Sequence, residues 1–391
     1  MKTGYRADNA FDGEKVVPGG ALVLVEEGRI VAVRPGSAAA PVGYAVTHLP
    51  GTTLLPGLVD THAHLCCDSR PDALDRLPGL RPEEMSATIE AASAAQLRAG
   101  VTALRDLGDH HWAVVDRRDR LAGPTVVAAG PPITSVGGHC ASMGGEAAGI
   151  DQLRRAVRDR AERGADLVKV MASGGAMTPA SDLNACQFTP AELHAVVDEA
   201  HGHGLPVVAH AHALAAVEEC LDAGVDGIEH CSCLTSRGRW APPQLLERLA
   251  ASGIAVGPTL GRAVEEEGPS HPTALPWDER LAHAGALVRA GVSLVSGGDS
   301  GISPVKPHGV LPHAVIDLVR CGLPGAAALA SATGLAARAC GLSGKTGRLR
   351  AGLDADLLLV RGDPVTDIAA IRDVRMVVSR GRVVVDDGRP R

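Results

Sequence analysis

Aromatic residues are nearly absent from this chain of 391 residues: two Phe, two Tyr and three Trp, 2% in all. A core must be built from Ala, Val, Leu and Gly instead, and hydrophobic residues at 45% are enough for a sizeable one. No run of 18 uncharged apolar residues occurs, which speaks against a membrane-spanning helix. The opening MKTGYRADNAFDGEK has no apolar stretch of the kind a secretory signal needs, so none is expected. No basic patch dominates, and a formal charge of −7 argues against a nucleic-acid partner held through phosphates. Nine cysteines, an odd number, lie scattered without paired spacing apart from Cys231 and Cys233, the pattern of a reduced, cytoplasmic protein. What remains is a protein acting on a small molecule, with a homo-oligomer left open.

From about residue 100 to 300 a short apolar run, a Gly-rich or polar loop and an amphipathic stretch recur. GVTALRD, GPTVVAAG, DLVKVMASGG, LPVVAHAHA, GVDGIEHCS, IAVGPTL and VSLVSGGDS read as strands, and LPGLVDTHAH before them makes eight. Strands alternating with helices imply a parallel sheet, and eight imply an α/β fold of the (β/α)₈ TIM-barrel type. The helix TPAELHAVVDEAHGHG shows its own limits: Thr189 as N-cap, Pro190 at the first helical position, glycine at the end. Residues 1–53 and 345–391 are instead β-rich with turn glycines. We expect them to form one small β-sandwich domain from both termini, with the barrel spanning 54–344.

Active sites of such barrels lie at the C-terminal ends of the strands. There the register puts His62 and His64, Lys169, His210 and His212, His230, and Asp299. Spacing of i, i+2 turns His62 and His64 to one face, and likewise His210 and His212, whereas Glu229 should face away from His230. Imidazole and carboxylate are donors that Zn²⁺ and similar ions select. Each piece alone has a plainer explanation, a buried hydrogen-bonded histidine or a turn aspartate. His62, His64, His210, His230 and Asp299, five such groups at strand ends on one face, make a metal site the economical account. Lys169 stands inside an apolar run of a chain poor in lysine, where a charged amine is costly to bury. Arg237, Arg239, Arg262, Lys306 and His308, on the later loops, are candidates to pair with a substrate carboxylate.

PGLVDTHAHL, VKVMASGG, VVAHAHA, VDGIEH and GGDSG, in this order, resemble the amidohydrolase superfamily. GGHCASMGGEA and CQFTPAELHAVVDEAHGHGLPVVAHAHA are similar to its imidazolonepropionase-like branch, which includes Xaa-Pro and Xaa-Arg dipeptidases. The resemblance implies a binuclear centre, with zinc as the default: His62, His64 and Asp299 for one ion, His210 and His230 for the second, and a carboxylated Lys169 bridging them. It implies Asp299 as the proton shuttle and His139 as a contact to the scissile carbonyl. Spacing for His212, and loop position for Arg237, Lys306 and His308, make these four the expected substrate contacts. The expected reaction is hydrolysis of an amide bond in a dipeptide, N-acyl amino acid or cyclic amide. The alternatives are deamination of a heterocyclic or amidine-like substrate, or a catalytically silent homologue. The branch's dipeptidases often use a tyrosine near the substrate. Here the only tyrosines, Tyr5 and Tyr44, fall in the terminal β-region, a departure from that pattern.

Overall fold

The structure, a computed structural model, describes residues 2–263 and 276–390. Seven of the eight expected strands form as regular elements. β1 (Leu58–Ala63), β2 (Val101–Asp106) and β3 (Thr125–Ala128) make one parallel sheet. β4 (Val168–Met171), β5 (Val207–Ala213), β6 (Gly227–Thr235) and β7 (Ala255–Gly257) make a second, with the short strand Gly238–Arg239 folded back antiparallel on β6. β1, β2 and β4 are buried at every residue, as their unbroken apolar runs require of a sheet covered on both faces. Helices intervene, among them Pro82–Arg98, Ile150–Arg163, Pro190–Gly202 and Leu214–Ala223. The Thr189 side chain does accept from the Glu192 N–H in a capping box, with Pro190 in the first turn.

The eighth segment departs from expectation. Around VSLVSGGDS only isolated parallel bridges form, Leu294 with Val256 on one side and Ser300 with Ala63 on the other. Gly297 and Gly298 weaken a ladder, and Asp299 takes a left-handed φ of 54° that no regular strand contains. Individual hydrogen bonds still tie it to both neighbours: Val295 N–H to Val256 O at 2.9 Å, and Asp299 N–H to His62 O at 2.7 Å. Across the other break, Asp166 N–H donates to Ala128 O at 2.9 Å and Ile133 bridges Val170.

Both chain ends enter a single nine-stranded sheet. The strand Ala45–Pro56 pairs in parallel with Lys2–Phe11 and antiparallel with Leu357–Arg361, so it runs through the boundary expected at residue 53. Side-chain alternation divides this sheet's burial between two cores. Tyr5, Val23, Leu54, Leu357, Leu359 and Val378 pack on one another, while Leu55, Leu358, Val377 and Val385 join the main core with the helices.

Candidate metal centre

The residues singled out at strand ends converge on one cavity, lined by His62, His64, Lys169, His210, His230 and Asp299, with His139, His212, Arg239, Arg280 and Lys306. His62 Nε2 and His64 Nε2 are 3.2 Å apart, and Asp299 Oδ1 lies 3.3 Å from the first and 3.5 Å from the second. The remaining ring nitrogens are engaged behind the site. His62 Nδ1 meets Glu229 Oε2 at 2.8 Å, and His64 Nδ1 meets the Gly108 carbonyl at 3.1 Å. Since a carbonyl only accepts, His64 Nδ1 carries a proton, and its Nε2 turns a lone pair inward in the neutral ring. Three acceptors facing one another need a cation between them.

On the other side His210 Nε2 donates to the Gly174 carbonyl at 3.0 Å, leaving Nδ1 for a ligand. His230 Nδ1 is held by Thr259 Oγ1 at 2.8 Å, leaving Nε2. Among the described residues, two groups of three donor atoms lie within 4.8 Å of one another, His62–His230–Asp299 and His210–His212–His230. Lys169, which lines the same cavity, is 1% exposed, and its Nζ has no hydrogen-bond partner among the described residues. Burial lowers its pKa, the charges of Glu229 and Asp299 oppose this, and the result is about 8. An orphaned, readily neutralised amine beside converging lone pairs fits a metal-bridging role.

Burial lowers the pKa of His64, but its hydrogen bond to Asp299 and that carboxylate's charge raise it further, to about 9. Asp299 is raised by burial, yet the charge of His62 and the hydrogen bond of His64 hold it well below the usual carboxylate range. His210 and His230 are driven well below the ordinary imidazole value by burial, so they are neutral and available as ligands. Backbone strain gathers here too: His230, Thr259 and Asp299 carry φ of 66°, 48° and 54°.

The expectation that Glu229 faces away from His230 is wrong. The left-handed backbone at His230 breaks the two-residue alternation. The Glu229 carboxylate lies inside, bonded to His62 and to Arg105 Nη2 at 2.9 Å. Room for it comes from Gly257, where a Cβ would stand 2.3 Å from Oε2. Two further buried carboxylates were missed. Asp60 accepts from His62 N–H at 3.1 Å and Gly298 N–H at 2.8 Å, and Asp106 from Leu65 N–H at 2.7 Å. Each follows or ends an apolar strand run, the one signal that could have marked them. Changing Glu229 to glutamine is expected to weaken metal binding about 10–100-fold by loosening His62. Competition with a chromophoric chelator measures this.

The proposed substrate contacts divide. His212 is half-buried, stacked on His230 at 4.4 Å between ring centroids, with Nδ1 2.9 Å from Ser232 Oγ. His139 lies 4.6 Å from His210, its Nδ1 3.0 Å from Thr178 Oγ1, and burial holds its pKa down to about 3. Gly175 lets the His139 ring approach, since a Cβ there would meet it at 2.3 Å. Lys306 lines the cavity, but its ammonium already donates to the carbonyls of Thr259 and Leu260 at 2.7 and 3.0 Å. Arg237 is a correction: it is exposed at the hairpin tip and does not line the cavity, whereas Arg239 does. His308 is a second: it braces the loop after β1 through Cys67 O at 2.8 Å. Arg280, on the helix Trp277–Arg289, was not anticipated, because a helical arginine in WDERLAHAGALVR reads as a solvated face. Cys66 and Cys67 are buried outside the cavity lining.

Parallel strands that present histidines, a carboxylate and a buried lysine at their C-terminal ends define an α/β protein with a metal-type centre. The chain belongs to the amidohydrolase family, whose model matches residues 53–384. It is 31% identical to ochratoxinase from Aspergillus niger over 242 residues, 59% of this chain and 48% of that protein. The alignment thus spans about half of that relative's length. Imidazolonepropionase from Symbiobacterium thermophilum is 25% identical over 430 aligned positions, covering 100% of this chain and 96% of its own. Among solved structures, a Xaa-Pro dipeptidase with methionine bound in its active site superimposes with a TM-score of 0.84 at 25% identity, over 98% of this chain and 99% of its own.

Proposed function

We propose that this protein is a metal-dependent hydrolase of an amide C–N bond in a small substrate, such as an N-acyl amino acid, a dipeptide or a cyclic amide. Its centre takes two divalent ions, zinc by default. The observation that carries the proposal is the inward convergence of His62 Nε2, His64 Nε2 and Asp299 Oδ1, with both Nδ1 atoms engaged behind them. Membership of the amidohydrolase family and likeness to ochratoxinase and a Xaa-Pro dipeptidase support it. We further propose that the two parallel sheets and the 292–300 segment make one (β/α)₈ barrel, and that the terminal sheet is a domain of its own.

His62, His64 and Asp299 would hold one ion, and His210 and His230 the other. Lys169 would join them as a carbamate, its amine having added CO₂ and released a proton. Held there, divalent ions act as Lewis acids on water and on an amide carbonyl. Asp299 accepts the proton of the attacking water on its carboxylate and delivers it to the leaving nitrogen. His139 stays neutral. The Thr178 hydroxyl accepts the Cys140 N–H at 3.1 Å and lies 3.0 Å from His139 Nδ1, which orients the ring so that its Nε2 is the atom we assign to the developing oxyanion.

The test is to load the protein with metal and follow amine release from N-acyl amino acids, dipeptides and cyclic amides. Release of the amine fragment with a free carboxylate is expected. Ammonia as the only nitrogen product would replace this reading with deamination, and no product from any class would contradict it.

A further inference from the structure

We propose that the substrate's amine portion is an acidic amino acid, whose two carboxylates bind Arg239, Arg280 and Lys306 on the wall beside the histidine cluster. This deepens the amide-hydrolase reading and rests on it for the word substrate. Arg280 Nη2 and Lys306 Nζ both donate to the same Thr259 carbonyl oxygen, at 3.2 and 2.7 Å, so they lie no farther apart than those two bonds laid end to end. Both also sit over the Trp277 ring, at 5.2 and 5.7 Å from its centre. Arg239 comes from the hairpin strand Gly238–Arg239, and its Nε is buried without a partner.

No carboxylate lies within ion-pair distance of any of the three among the described residues. Asp317 is bonded to Arg320 and to Gly261 N–H, and Asp299 belongs to the histidine cluster. The crowding is felt by the cations. Burial first, then the charge of Arg280, pushes Arg239 down to about 10 and Lys306 down to about 7. Burying unpaired like charges together is costly unless an anion joins them. One carboxylate answers one guanidinium in a bidentate pair and leaves the others unmatched, whereas a dianion answers the group. Among α-amino acids attached through an amide, aspartate and glutamate bring two carboxylates in one small fragment. Thr259 adds a reason for the placement, because its hydroxyl holds His230 while its carbonyl gathers the two cations.

Calorimetric titration of the purified protein with L-glutamate, L-aspartate and their neutral isosteres L-glutamine and L-asparagine tests this. Each pair shares an α-carboxylate, so any contact of that group with metal cancels in the comparison. At least one acidic member should bind about 30-fold or more tighter than its amide. Arg239→Gln should cut that ratio to within about threefold, and Arg280→Gln provides a second variant if the first misfolds. Equal affinity within each pair, or no binding by any of the four, overturns the proposal. Glu265, Glu266 and Glu267 lie outside the described residues. Discrimination that appears only when all three are changed to glutamine would assign those side chains as the counter-ions, and overturns it too. The two readings fail separately. Preferential glutamate or aspartate binding without hydrolysis of any amide removes the hydrolase and leaves the dicarboxylate site. Hydrolysis of N-acetylglutamine and N-acetylglutamate at equal kcat/KM removes the site and leaves the hydrolase.

Discussion

Asp299→Asn should lower kcat by about 10²–10⁴-fold while leaving the fold intact, the range that general acid–base catalysis by one side chain supplies. The substitution keeps shape and one oxygen donor but removes the group that can take a proton. Asp299 is 6% exposed and lies 3.3 and 3.5 Å from the two Nε2 atoms, so the oxygen of the amide can still face them. Its carboxylate helps set the high pKa of His64, and the neutral amide removes that support. Metal content measured alongside kcat separates the roles: retained metal with lost turnover assigns proton transfer to Asp299. Wild-type kcat in the variant would remove it from the mechanism.

Lys169→Met should abolish turnover by about 10³-fold or more and reduce bound metal, because the bridging anion is gone while the buried volume is kept. A purely structural lysine predicts a different pattern. Glu229 and Asp299 would lose a balancing charge, the melting temperature would fall, and the remaining histidines would keep their metal. Wild-type protein equilibrated with ¹³C-bicarbonate should show a carbamate carbon that Lys169→Met lacks. The orphaned Nζ favours the first pattern, since a lysine kept for an ion pair would be found bonded to a carboxylate.

Much of this site was legible because its chemistry sits at the ends of apolar runs. His62, His64, His210 and His212 obey two-residue alternation, and the ring contacts place both pairs facing inward. Glu229 was misread where that rule stops holding, at the left-handed His230. The eighth strand was legible as an apolar run but not as a set of isolated bridges. Its glycines and the turned Asp299 decide that, through contacts to Val256 and Ala63 far away in sequence. Arg237 sits at the tip of a hairpin and Arg239 on its returning strand, a difference composition does not encode. Arg280 reaches the cavity from a helix whose placement depends on packing, so no local pattern marks it. The terminal sheet was legible as β from both ends. That a single strand, Ala45–Pro56, joins them is a matter of long-range pairing.

The central claim is that the inward-facing histidines, Asp299 and Lys169 form a centre for two divalent ions. Elemental analysis of protein loaded with zinc, manganese or cobalt and then freed of excess metal tests it most directly, with Lys169→Met run alongside. The account predicts about two ions per wild-type chain and at most one in the variant. Fewer than one ion per wild-type chain with every metal offered, or equal content in both proteins, would contradict it.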